Sequence, residues 1–305
     1  MAATRSPIEA VGLTRPPATG ARSRSWAREE LASLDPVRDH ERAAHLATSV
    51  IYGDPPVAGA LYTIAFLRQM AVPSIARVVH RGGRGPSVRD PRKRNDDTIT
   101  IFGEILRNGY SSPAGRAMIA RMTAIHARFP ISNDENLYTL ASLALEPTRV
   151  PQLLGRQLMS DALLDATFLF WRGVGLEMGV SGIPETRAGY LSWTYAYEAE
   201  NWGFSEGGRE VADAMLDDYA DRWAPRRLRP LARAAIRSIC DDALLRALGF
   251  DPPPRGARGA LGTGLEAYKL ARRILPDPPE RSYADHYGGA YPPGTPLSEV
   301  GFRDE

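Results

Sequence analysis

Apolar residues return every third or fourth position through long stretches of the chain, and alternation of the strand type hardly occurs. The pattern therefore predicts an all-α protein. Breaks at Pro, Gly and Asp clusters divide it into helices over 41–52, 56–80, 134–145, 156–178, 186–201, 210–223 and 231–248. Between the second and third of these, RGGRGPSVRDPRKRN (residues 81–95) holds too few apolar positions to pack and is expected as a loop. Asp96 or Asp97 then caps a helix through TITIFGEILRN, which Asn108-Gly109 stops. Ser112 as cap and Pro113 in the first turn start the next helix, through GRAMIARMTAIHARF, with Pro130 just past its end.

The expected organisation is one multi-helix domain over 39–250, preceded by a flexible arm (1–38) and followed by a Pro-rich tail (251–305) that wraps the same body. No internal repeat and no long linker appears before the tail. The most apolar stretch, VAGALYTIAFLRQMAVPSIARVV, is interrupted by Arg68, Gln69, Pro73 and Arg77, so no membrane-spanning helix is expected, and the first residues show no secretory pattern.

Composition narrows the partners. With 43% apolar and 24% charged residues in 305, the chain buries a sizeable core. A net charge of +2 is too near neutral for a protein that binds nucleic acid by neutralising phosphates. The single cysteine, Cys240, removes disulfide frameworks and multi-cysteine metal sites and suits a reducing compartment, so the cytoplasm is the expected location. GALGTG near Gly259 lacks dinucleotide-binding spacing. The five histidines form neither HxH nor HExxH, which argues against a metal cage made of protein ligands alone. A basic run over 222–237 is flanked by aspartates and reads as solvated surface.

One histidine stands apart. Met118, Ile119, Met122, Ile125 and Phe129 form the apolar stripe of their helix, and His126 follows Met122 by one turn, which points it at the edge of the core. A buried neutral imidazole needs a partner for each ring nitrogen: a hydrogen bond, a metal ion or a haem iron. Spacing alone favours the satisfied core histidine. Upstream, Arg94 and Thr98 lie one turn apart, either as a surface arginine beside a helix cap, or as a guanidinium able to fork onto a carboxylate with a hydroxyl beside it.

The residues around these positions resemble a known family. RKRNDDT (92–98), followed by IHARFPISNDENLYTLASLALEPTRV (125–150), closely resembles the MpaB-type oxygenases and, more distantly, the latex-clearing rubber oxygenases that share their catalytic domain. YTIAFLRQMAVPSIARVVHRGG, FLFWRGVGLEMGVSGIPE and HYGGAYPPGTPLSEVGF extend the likeness from about Glu41 to the end of the chain.

That resemblance implies a helical, globin-like core around haem b. It implies His126 as axial iron ligand, Arg94 as a pocket or propionate partner, and Thr98 as a haem-side hydroxyl. Arg92 is the alternative to Arg94. It further implies O₂-dependent oxidation, including double-bond cleavage, of an apolar unsaturated or terpenoid-like molecule, with a possible electron donor. A haem peroxygenase or peroxidase, and a non-catalytic haem or hydrophobic-ligand carrier, are the alternatives. The chain departs from the family in showing neither a membrane anchor nor a secretion signal, and in placing Asp97, with Lys93 nearest, where some rubber oxygenases have a lysine. The aromatics Phe168, Phe170, Trp171, Tyr190, Trp193, Tyr195 and Tyr197 are plain core or substrate walls on this reading.

Overall fold

A computed structural model describes residues 12–14, 20, 22–287 and 291–301, and among these the chain is helical, with one isolated antiparallel bridge between Gly12 and Pro296. The helices are α1 (Trp26–Ser33), α2 (His40–His45), α3 (Pro55–Met70), α4 (Pro73–His80), α5 (Pro86–Arg89), α6 (Pro91–Asn108), α7 (Pro113–His126), α8 (Asn133–Leu153), α9 (Asp161–Glu177), α10 (Arg187–Asn201), α11 (Glu206–Trp223), α12 (Arg229–Ser238), α13 (Asp242–Ala247), α14 (Ala257–Ile274) and α15 (Ala284–Tyr287).

Side-chain caps set the starts of α6 to α11 and of α13. Ser112 accepts from Gly115 N at 3.0 Å ahead of Pro113, and Ser132 forms a reciprocal capping box with Glu135 at the head of α8. Gly109, at φ 77°, ends α6 in a conformation that favours glycine.

Several boundaries differ from the expectation. α6 begins at Pro91, because the Asp90 carboxylate accepts from Lys93 N at 3.0 Å, so PRKRN is the first part of a helix and not loop. Asp96 and Asp97 are not caps. They sit inside α6 and spend their carboxylates on Arg222 (2.8 Å) and on Lys93 (2.8 Å) and Tyr291 (2.6 Å). The expected helix over 56–80 breaks at Ala71 and Val72, ahead of Pro73. The segment over 231–248 likewise divides, with Asp241 capping α13.

α8 runs straight through Pro147 and Pro151, where the sequence suggested an end at residue 145. Buried ion pairs hold it over the prolines: Glu146 meets Arg68 at 2.6 Å, and Arg149 meets Glu198. Each proline removes a helical donor, so α8 is secured from outside rather than by its own ladder.

Two cores result. One lies among α6, α7, α8 and α9, and the other among α3, α4, α11 and α12. The C-terminal segment enters the first core through Tyr283, Tyr287 and Tyr291, and it carries α14, a full helix that the Pro-rich reading of the tail did not foresee. Likewise, within the expected N-terminal arm, α1 is packed: Trp26 is buried and Asp277 accepts from the Ala27 and Arg28 backbone amides at 2.9 and 3.0 Å. Residues 1–11, 15–19 and 21 of that arm, and 288–290 and 302–305 of the tail, lie outside the described residues.

Among the described residues no single helix is long and apolar enough to cross a membrane. The chain over His40–Ile51 with α3 passes by length and composition only as a pair bent by 114°.

Candidate active site

α6 and α7 pack side by side, and their facing sides deliver Arg94, Thr98 and His126 to one cavity of about 1030 Å³. That volume stands at the upper end of the roughly 300–1,000 Å³ occupied by cofactor and small-molecule sites. α3 contributes Phe66, α8 contributes Leu140 and Leu143, and α9 contributes Trp171 and Val174, so the interior walls are largely apolar. One rim is cationic, with Arg81, Arg84, Arg89, Lys93 and Arg94.

His126 closes α7, and its Nδ1 is buried with no hydrogen-bond partner. Burial, and then the positive charge of Arg94, hold its pKa below the ordinary value, while a hydrogen bond with Asn136 acts in the opposite sense. The imidazole is therefore neutral at neutral pH and keeps a lone pair. Asn136 donates its own amide to Ser132 O at 3.1 Å, which leaves its side-chain oxygen to accept from an imidazole N–H.

Arg94 has its pKa lowered by burial, against the attraction of Asp97, and the charge of Arg81 lowers it further. Asp97 does not neutralise it, because that carboxylate is already engaged by Lys93 and Tyr291. The cavity wall also carries Asp90, Asp97 and Glu135, and the attraction of Asp97 offsets part of the Arg94 charge, so the buried guanidinium is one group there able to meet an anionic ligand. The Thr98 hydroxyl donates to Arg94 O at 3.0 Å, so its oxygen lone pairs stay open toward the cavity.

All three sequence candidates thus line one cavity. Arg92 does not; its side chain is exposed and its carbonyl accepts from Arg222 at 2.9 Å. Of the seven aromatics weighed from the sequence, only Trp171 reaches the cavity. Phe168, Phe170 and Tyr190 are buried in the core, and Tyr195 is exposed. The basic run over 222–237 is paired at the surface, with Arg229 on Asp221 and Arg233 on Asp213. Asn136 was not singled out from the sequence, and its place ten positions beyond His126, in the first turn of the next helix, is the signal that would have found it.

Fold and cavity together define an all-helical protein with a large, mostly apolar cavity between its helices. Residues 50–273 match the family described as "ER-bound oxygenase mpaB/B'/Rubber oxygenase, catalytic domain", and the chain belongs to it. Among curated relatives, ER-bound oxygenase mpaB' of Penicillium brevicompactum is 25% identical over 230 residues, covering 70% of this chain and 54% of the relative. ER-bound oxygenase mpaB of the same fungus is 28% identical over 171 residues (50% and 44%), and that of Penicillium roqueforti (strain FM164) is 25% identical over 200 residues (60% and 67%). The chain spans about half the length of the first two of these relatives.

Proposed function

We propose that the chain is a haem b-dependent oxygenase acting on an apolar, unsaturated small molecule. One observation carries this reading: His126, whose buried Nδ1 has no hydrogen-bond partner among the described residues, lines the same cavity as the buried guanidinium of Arg94. A hydrogen-bonded core histidine would have both nitrogens satisfied by the protein.

The residues fit the group. The neutral His126 ring would hold the iron, with Asn136 fixing its orientation as an outer partner does for a ligating histidine. Arg94, with the cationic rim behind it, would bind a carboxylate of the haem, and Thr98 would offer a hydroxyl to what binds in the same cavity. Phe66, Leu140 and Trp171 exclude water and seat the hydrocarbon. Among the described residues no three His, Cys, Asp or Glu side chains converge to hold a metal, so His126 serves as a single ligand and not as part of a cage. When bound, haem would supply reductive binding of O₂ and its delivery to a carbon–carbon double bond.

The chain purified with haem supplied should show a Soret band that shifts with dithionite and carbon monoxide, and His126→Ala should lose it. Equal haem content and spectra in the two proteins would refute the ligand assignment. Turnover with O₂ and a reductant, against turnover with peroxide, assigns the oxidant.

A further inference from the structure

α14 turns a bare apolar stripe to solvent. One side of the helix faces the body: Gly262 and Arg272 are buried, and Lys269 Nζ reaches Gln157 O at 2.6 Å. On the other side the exposed positions are Ala260, Thr263, Gly264, Ala267, Leu270 and Ile274, which recur every three or four residues and carry no charge. Leu270 is 57% and Ile274 67% exposed. A helix that only covers a soluble body places its charged residues on that side.

α12 packs against α14, with Arg258 donating to Ser238 O at 3.1 Å and to Cys240 O at 2.8 Å. It repeats the anomaly, since Leu231 is 66% exposed and Leu228, just ahead of the helix, is exposed as well. Leu231 stands one turn before Ala235, which lines the same small cavity as Gly264, so the bare leucines of the two helices border one region of surface. Among the described residues nine large apolar side chains are exposed, and five of them, Leu228, Leu231, Leu270, Ile274 and Leu275, belong to this region. Such clustering, unlike single exposed leucines, marks a contact surface.

We propose that the α12–α14 face docks on the surface of a bilayer that contains anionic phospholipid. The charges name the partner. Arg226 and Arg227 adjoin Leu228, Arg273 adjoins Ile274, and Arg255 precedes α14; all four are exposed and make no ion pair among the described residues. The carboxylates nearest in sequence are already committed: Asp221 to Arg229 (2.8 Å), Asp242 to Arg258 (2.7 Å) and Glu266, the one acidic residue of α14, to Arg156 (3.8 Å). The occupant must therefore offer apolar depth and negative charge together. A phospholipid surface does so, with phosphates for the guanidinium groups and acyl chains for the leucines, while the arginine stems snorkel between the two. A second copy of this chain, packed by the same face about a twofold axis, would set arginine against arginine. α14 would lie along the membrane plane, as an interfacial helix does, without entering the hydrocarbon core.

Flotation of the full chain with vesicles of phosphatidylcholine alone, and of equimolar phosphatidylcholine and phosphatidylglycerol, tests the proposal. The wild type should bind the mixed vesicles at least about tenfold tighter than the neutral ones, and high salt should erase the difference. Leu270→Ser combined with Ile274→Ser should weaken binding to the mixed vesicles at least about tenfold. Independently of the leucines, Arg226→Gln and Arg227→Gln should each cost about fivefold on the mixed vesicles and leave binding to the neutral ones unchanged. Leu176→Ser, at a leucine exposed on α9, should bind as the wild type does. Because every substituted side chain is exposed, thermal melting followed by circular dichroism should be the same for all these proteins. A wild type that floats with neither vesicle overturns the proposal, as do equal binding to the two vesicle types and a double serine variant that binds like the wild type. A dimer in sedimentation equilibrium that the double serine exchange dissolves also overturns it and gives the face to a second copy. None of these readings involves the Soret band, so the proposal stands or falls apart from the haem assignment.

Discussion

Arg149 forks onto Glu198, with Nη1 at 2.7 Å from Oε1 and Nη2 at 2.7 Å from Oε2, and both side chains are almost wholly buried. Tyr138 places its hydroxyl 3.1 Å from the same carboxylate, and Arg68, on α3, joins through Glu146 and Asp241 at 2.6 and 2.8 Å. Charges from α3, α8, α10 and the cap of α13 thus meet in one cluster, buried except at Asp241, that holds α8 in place across its two prolines.

Removing one member leaves its partner charged and buried. Arg149→Ala should therefore cost roughly 3–5 kcal/mol, far more than loss of a surface pair. Thermal or urea unfolding measures it, and a loss under about 1 kcal/mol would show that the cluster is not a structural centre.

Asn136→Ala should weaken haem retention by roughly 10–100-fold, the usual effect of removing the group that orients a ligating histidine. Haemin titration followed in the Soret region reads this directly. Unchanged affinity would mean that the α7 terminus alone orients the ring.

Acid should unfold the protein partly through Glu280. A hydrogen bond from His45, followed by those from Arg42 and Arg22, holds this carboxyl well below its ordinary value of 4.5, against the opposing effect of burial. The unfolded chain takes up the proton more readily than the folded one, so the stabilisation is complete above pH 4.5 and fades as pH falls toward the depressed folded value. Buried His45 adds in the same direction. Burial lowers its pKa below 6.5, so the unfolded chain also gains a proton there as pH falls. Glu280→Gln should be less stable at neutral pH and show a shallower acid limb in unfolding curves taken from pH 7 to 3. Parallel limbs for the two proteins would exclude Glu280 from the acid response.

Cys240 should be inert in the folded protein. Burial pushes its thiol up to about 12, and its sulfur lies 3.4 Å from Ile236 O. Labelling by a thiol reagent at pH 8 should follow the unfolding rate and accelerate in denaturant; rapid stoichiometric labelling of native protein would contradict the buried placement.

Helix content, the cap at Ser112, and the positions of Thr98 and His126 on two successive helices follow from spacing that any reader of the sequence can check, whereas that spacing put Arg94 just ahead of the helix start. The errors have equally specific causes. DDT offered an attractive cap, but Asp90 with Pro91 had already started α6 nearly two turns earlier, and the two later aspartates were taken by Arg222, Lys93 and Tyr291. Glycines at 259, 262 and 264 masked α14, although Leu261, Leu265 and Tyr268 keep a helical stripe through them.

Local pattern determined which segments coil and which side chains share a helix face, because those depend on neighbours three and four positions away. Which polar atoms go unpartnered was decided elsewhere. The bare nitrogen of His126 and the partly offset charge of Arg94 each depend on what other segments bring, or fail to bring, within hydrogen-bonding range. Tyr291 draws off Asp97 from nearly two hundred residues away, and α3, α8 and α9 supply the largely apolar walls that face His126 and Arg94.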